Sequence, residues 1–259
     1  MKKLILLAIL VSYIPISCFS QDTTDRYWDF NSAYTLPESR TEIGIFNKMS
    51  YGFTDNIQLS LNPIIFFVMP NIDVKWNHGK FFDTELSTVH TIYYPTMLMR
   101  MVSKKGLLGM IGPEFYIPHM VSIANEILAT KEIDSKYFFT GKLGFNFSIH
   151  EEKPDILTTI DLPYIYPRMS VFYNGFIFNA GILSMMKLND SFRFYFDNEL
   201  ILIPRAENNI AYENRGGANW MISNHVNLSL GYMLLYGDYP FGTQWHLLPT
   251  FDILFGFNL

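Results

Sequence analysis

The chain has 259 residues, of which 49% are hydrophobic and 17% aromatic, with 23 Phe and 16 Tyr, while only 17% are charged, against about 25% in an average soluble domain. Its net charge of −5 supplies no basic face for nucleic acid, and after the first 20 residues no apolar run reaches the roughly 18 residues that a spanning helix needs. So much apolar character without such a helix leaves two fold classes: a large soluble all-β domain, or a barrel whose apolar side meets lipid.

The N-terminus reads as an address. Lys2 and Lys3 precede an apolar run over residues 4–16, and Cys18-Phe19-Ser20 places small residues three before and one before a cut ahead of Gln21. Residues 1–20 are therefore expected to be a cleaved secretory signal peptide and residues 21–259 a single β-barrel domain. An uncleaved anchor is the plainer alternative. A lipoprotein signal at Cys18 would want Leu three residues earlier, where Pro15 stands. Cleavage removes Cys18, the one cysteine, and with Lys2 and Lys3 gone the 19 basic residues become 17 against 24 acidic, or −7. Disulfides, thiolate metal sites and cysteine nucleophiles are then excluded, which suits an oxidising compartment.

Period-two alternation dominates the rest of the chain. Over residues 57–67, Ile57, Leu59, Leu61, Ile65 and Phe67 share one side and Gln58, Ser60 and Asn62 the other. Residues 137–149 set Phe139, Leu143, Phe145, Phe147 and Ile149 against Phe138, Thr140, Lys142, Asn146 and Ser148. Residues 192–202 set Phe192, Phe194, Phe196, Leu200 and Leu202 against Arg193, Tyr195, Asp197 and Glu199, and residues 226–236 repeat the pattern from Val226 to Tyr236. Such segments are half-apolar strands. At about 11 residues they have the length of tilted membrane-spanning strands, longer than the usual 5–6 of globular ones. Their polar sides carry mainly Asn, Ser, Thr and Gly, too little charge for a water-facing exterior. The expected fold is all-β, a closed antiparallel transmembrane barrel.

Tight polar links at residues 53–56, 188–191 and 224–225 alternate with longer segments, the asymmetry of short periplasmic turns and long outer loops. Counting back from the end, residues 150–155 and 103–106 fall with the tight turns, 238–246 forms an outer loop, and Tyr173-Asn174-Gly175 is a short outer hairpin. Strand centres fall near Ile45, Leu61, His90, Ile111, Leu143, Tyr166, Phe178, Phe196, Trp220, Leu230 and Phe255. Bacterial barrels have even strand numbers, so a first strand over residues 27–34 brings the count to about 12, with 10–14 open. Residues 72–77 also alternate and could add to a hairpin. Residues 119–130 read as a short outer helix or a strand extension.

The chain ends on Phe251, Ile253, Phe255, Phe257 and Leu259 facing one way and Asp252, Gly256 and Asn258 the other. This resembles the terminal strand of the Gram-negative outer-membrane β-barrel superfamily, although the last residue is Leu259 where Phe is usual. Residues 51–59, Tyr-Gly-Phe-Thr-Asp-Asn-Ile-Gln-Leu, resemble the strand–turn–strand of uncharacterised transporter-like barrels in that group. The resemblance implies residence in the cell outer membrane, with outer-membrane lipid as surroundings and the barrel-assembly machinery as a partner of the C-terminal strand.

No chemical motif stands out. The histidines at 78, 90, 119, 150, 225 and 246 form no His-x-Ser pair and no Gly-x-Ser-x-Gly elbow. There is no zinc or calcium motif, and no cofactor is expected. His90, mid-strand among Ser87, Thr88 and Thr91, is the one histidine to weigh as a base, and it lacks an evident orienting acid. The ionic residues assigned to inner faces are Glu42, Lys48, Arg100, Glu114, Lys142, Arg193, Asp197 and Glu199. They would set a pore's selectivity or pair across the lumen and fill it. Ile177, Leu183, Met185, Met233 and Leu235 share those faces, which argues for a narrow passage. The leading expectation is a narrow channel or transporter for small solutes, apolar ones included, whose identity the sequence does not give. The alternatives are a structural or adhesive barrel and, third, a lipid-modifying enzyme.

Overall fold

The computed structural model describes residues 28–103, 110–204, 210–239 and 242–259; the expected signal peptide lies outside them. Twelve strands form one closed antiparallel barrel in which each pairs with its sequence neighbours and β1 closes on β12. They are β1 (Arg40–Gly44), β2 (Met49–Thr54), β3 (Ile57–Leu61), β4 (Asn71–Phe81), β5 (Thr84–Tyr93), β6 (Met120–Ile133), β7 (Tyr137–His150), β8 (Phe176–Lys187), β9 (Phe192–Leu202), β10 (Ile210–Ser223), β11 (Val226–Tyr239) and β12 (Gly242–Asn258). Two short helices, α1 (Thr96–Val102) and α2 (Tyr166–Asn174), lie between strands. No helix among the described residues is long and apolar enough to cross a membrane.

The alternation resolves into two surfaces. Phe139, Leu143, Phe194, Phe196, Ile127, Ile182, Leu230 and Phe251 are exposed, Leu230 and Leu143 by 69% and 64%. Lys142, Thr140, Arg193, Asp197, Asn227 and Asp252, which hold the alternate positions, are buried. Such a belt of exposed Phe, Leu and Ile would be an aggregation surface in water; facing lipid, it is the apolar band of a barrel. Aromatic clusters edge it. Tyr236 and Tyr212 lie 4.5 and 6.5 Å from Trp245 near one rim, and Phe192 stacks on Trp220 at 5.6 Å near the other.

The two ends differ. At one, strands join through short turns after β2, β4, β6, β8 and β10, each held by local side-chain or backbone geometry. Asn189 Oδ1 accepts from the N–H groups of Ser191 and Phe192 at 2.8 Å, Thr54 Oγ1 accepts from Ile57 at 3.1 Å, and Phe82, Asp134 and Ser135 take the left-handed conformation. The opposite end carries the long connections, 94–119 and 151–175 among them.

Several sequence-based assignments change. Residues 28–34 are not a strand but part of a strap inside the barrel. Ile111 lies in a loop, and Tyr166 opens a helix. Tyr173-Asn174-Gly175 is not a hairpin but the end of α2, where Gly175 (φ 87°) donates to the Val171 carbonyl at 2.9 Å. In exchange, residues 72–77 belong to β4, 119–130 largely to β6, and β2 is a strand of its own. The first long strand stops at Leu61, not Phe67. Residues 150–155 and Ser103 therefore stand at the long-loop end, and most of 238–246 is strand.

Candidate functional site: the barrel lumen

Residues 28–36 cross the lumen near the tight-turn end as a strap, and its polar groups meet the wall. Asp29 donates its N–H to Glu42 Oε2 at 2.8 Å, and its carboxylate accepts from Lys75 Nζ at 2.8 Å and from Gln58 Nε2. Ala33 donates to Thr130 Oγ1 at 2.8 Å, while its carbonyl accepts from Asn77 Nδ2 at 2.9 Å and from the Ser87 hydroxyl. Leu36 donates to Gln58 Oε1 at 2.9 Å. Trp28 packs on Met221 and Leu254, and the Arg193 guanidinium lies 4.8 Å over the Phe30 ring. Burial pushes the Asp29 carboxyl up, but the charge and hydrogen bond of Lys75, with the Gln58 bond, outweigh it and hold the group below the usual carboxylate range.

Above the strap lies an ionic belt. Lys142 Nζ sits 2.8 and 2.7 Å from the two Asp197 oxygens, both side chains buried. Lys48 pairs with Asp73. Glu199 accepts from Asn179 at 2.7 Å. Arg168, brought inward by α2, donates to Glu213 at 2.8 Å, and Arg215 pairs with the same carboxylate. The Arg168 guanidinium covers the Tyr164 ring at 4.0 Å; its charge, against desolvation and with help from Arg215, lowers the Tyr164 phenol from its ordinary value. Over the belt, on the β6 to β10 side, α1, α2 and their loops pack an apolar cluster including Met99, Ile117, Met169, Phe172, Ile177 and Ile201.

Of the eight ionic residues assigned to inner faces, Glu42, Lys142, Arg193, Asp197 and Glu199 occupy inward registers on strands, and Lys48 reaches in from the β1–β2 connection. The other two stand elsewhere. Arg100, in α1, donates twice to the Ile117 carbonyl at 3.0 and 2.8 Å, and Glu114 is exposed in the loop after it. The sequence reading missed Asp29, Asp73, Lys75, Glu126, Arg168, Glu213 and Arg215. For Asp73 and Lys75 the signal was present in the alternation of residues 72–77; Arg168 comes from a helix with no strand periodicity to reveal it.

His90 faces outward, on the apolar exterior. Its Nδ1 pairs with Asn125 Oδ1 at 2.8 Å, whereas the nearby Thr88 hydroxyl is engaged by His78 Nε2 at 2.9 Å. These are two separate pairs, not a hydroxyl–imidazole–orienter chain. Among the described residues no group of three or more His, Cys, Asp or Glu is placed to hold a metal.

A closed wall, an apolar exterior and an ionic interior decide the class. The chain is a closed antiparallel β-barrel of twelve strands, apolar outside and ionic within. No family model matches it, and no curated protein does. Among solved structures it is similar to a bacterial polysaccharide outer membrane secretin, at 9% identity over 85% of this chain and 70% of that one, with a TM-score of 0.45. It is also similar to the outer membrane channel DcaP of Acinetobacter baumannii (8% identity, 94% and 69% covered, TM-score 0.38). A third likeness is to the CymD monoaromatic hydrocarbon channel (9%, 84% and 51%, 0.35).

Proposed function

We propose that the chain resides in the outer membrane as a narrow solute passage, lined by ionic side chains and closed near the tight-turn end by the strap of residues 28–36. The observation that carries this reading is the make-up of the interior. A barrel with only a structural task can fill its lumen with apolar side chains. This one buries Lys75, Glu42, Lys142, Asp197 and Glu213, and buried charges add little net stability beside an apolar filling. They are the groups that give a passage its field and selectivity.

The strap itself favours a second reading, a non-conducting structural barrel, because it occupies the lumen through several wall contacts. Uptake of small labelled solutes into liposomes, with cell fractionation alongside, separates the two. The passage reading expects the protein in the outer-membrane fraction and uptake above empty liposomes, rising when the strap is deleted. No uptake with or without the strap leaves the structural barrel, and recovery as a soluble periplasmic protein discards both.

A further inference from the structure

The wall is not of one height. β1, β2 and β3 have five, six and five residues, while β11 and β12 have 14 and 17. β1 pairs with β12 only from Arg40↔Asn258 to Gly44↔Leu254, whereas β11 accompanies β12 from Val226↔Phe255 up to Tyr239↔Gly242. Among the described residues, β12 therefore has a strand on one side only from Gly242 to Asp252.

The main-chain hydrogen bonds mark the same edge. Gly256 donates toward His225 on the β11 side, while the Ile253 carbonyl accepts from Ile45 on the β1 side, so odd-numbered residues aim their N–H and C=O groups away from β11. Pro249 is one of them, and its missing N–H falls on the open edge, where it costs no ladder bond. The split is fixed by Asp252, whose buried carboxylate accepts from Ile45, Phe46 and Asn47 at 2.8, 3.1 and 2.9 Å. It draws the β1–β2 connection off the line that β1 would follow. A Cβ on Gly44 would stand 2.5 Å from that carboxylate, so only glycine lets the two approach.

Unpaired strand edges are not tolerated against lipid tails, so this edge must border water admitted from the lumen. Leu247 and Leu248 point outward and inward in turn, yet both are exposed, by 68% and 41%. Leu235 and Ile201, inward-facing elsewhere at this end, are buried. The gap lies between the Trp245 rim and Asp252, within the apolar belt. Its flanks are Phe46, 5.9 Å from Phe251, with Leu247 outside and Leu248 and Met233 inside. The helices that fill the long-loop half pack on the opposite side, α2 against β6, β7 and β8.

We infer that this gap is a side opening through which small apolar solutes move between the lumen and the bilayer. The inference rests on the membrane residence proposed for the chain, and it names the solute class. A solute entering at the long-loop end can leave sideways without displacing the strap. An apolar one would exchange Leu248 and Met233 for lipid tails with little desolvation, while an ion would have to shed its water.

The test places a bimane label at single cysteines replacing Leu248, Leu247 or Ser229 in nanodiscs whose lipid tails carry bromine, a quencher confined to the bilayer. The inward Leu248 position should be quenched within about twofold of the outward Leu247 position, and Ser229, behind paired wall, far less. In cells whose outer membrane excludes N-phenylnaphthylamine, the full chain should speed entry of that dye. Leu248→Arg should return entry to the background rate while the unboiled protein keeps its folded gel mobility. Quenching at Leu247 but not Leu248 overturns the opening. Dye entry that the full chain does not raise, or that Leu248→Arg leaves unchanged, overturns the passage. Absence of quenching at both leucines overturns the membrane reading instead.

Discussion

The wall from β6 to β11 and the wall from β1 to β3 are built from the same alternation but do different work. In the first, strands of 11 to 14 residues are paired along almost their whole length, and each turns Phe, Leu or Ile outward. In the second, three strands of five or six residues close only the tight-turn half. There the connection over residues 62–70 satisfies its own backbone. Asn62 Oδ1 accepts from Ile64 at 3.2 Å, and the Ile65 carbonyl accepts from Val68 and Met69 at 3.0 and 2.6 Å. It leaves Ile64 and Phe67 exposed, Phe67 by 81%. A continuous ladder makes a barrier; a short ladder topped by a self-bonded apolar turn closes the barrel at one level and leaves β12 paired on one side only at another.

β12 belongs to both walls, so its loss should have the largest effect. Removing residues 251–259 strips β1 of its partner and leaves residues 226–230 of β11 without theirs, and each backbone group left unpaired in lipid costs several kcal/mol. The expected outcome is no heat-modifiable band on a detergent gel and a sharply lower outer-membrane level. Normal insertion would mean that β1 does not need β12.

The next effect separates the walls directly. Phe194→Arg, mid-belt on the long wall, should cost about 2–4 kcal/mol in urea unfolding from lipid, while Phe67→Arg, at the top of the short wall, should cost about 0–1 because its guanidinium reaches water. Arg193→Ser, one residue from Phe194 but facing in, should leave the barrel folded. Equal costs for the two Phe substitutions would erase the distinction drawn here, and equal tolerance of Phe194→Arg and Arg193→Ser would reverse the faces.

A smaller effect belongs to the fork. Asp252→Ala leaves three N–H groups without their carboxylate and should cost about 1–3 kcal/mol. Hydrogen exchange should quicken at Ile45, Phe46 and Asn47 while β9 and β10 stay protected. Uniform loosening would show that Asp252 supports the whole barrel and not the fork.

Strands whose two sides differ sharply in polarity are legible in the sequence. β9 is readable with its bounds and both faces, and β7 nearly so. β6 is obscured because its inward side carries Met120, Ala124 and Leu128 while its outward side carries Asn125 and Lys131, which flattens the period. The strap imitates a strand for the opposite reason: Trp28 and Phe30 alternate with Asp29 and Asn31, yet the partners that satisfy them are scattered around the wall from β1 to β12. α2 misleads through its aromatic and β-branched residues, which favour strands, although Pro167 and Gly175 mark its two ends. The count of twelve agrees only because the strap, Ile111 and Tyr166 stand in for β2, β4 and β6. In the lumen, residues on well-marked strands are legible. Asp73 and Lys75 of β4 are legible in the alternation of residues 72–77, whereas those brought in by the strap or α2 are not, because their inward position is a tertiary fact.

In the passage proposed here, the strap and not the wall forms the closure. Single-channel recording in one lipid, comparing the full chain with a chain lacking residues 21–36, tests that claim most directly. Because the Asp29 carboxyl is held below its ordinary range, its contribution to anchoring is complete above that range and is lost only as pH falls through the lowered value. The full chain should therefore stay closed from about pH 7 to about pH 5. The expected result is a steady open level in the shortened chain and a closed or only briefly open one in the full chain. Two chains equally closed would show that the ionic belt seals the lumen by itself, and two chains equally open would show that the strap blocks nothing; either result would contradict a strap-gated passage.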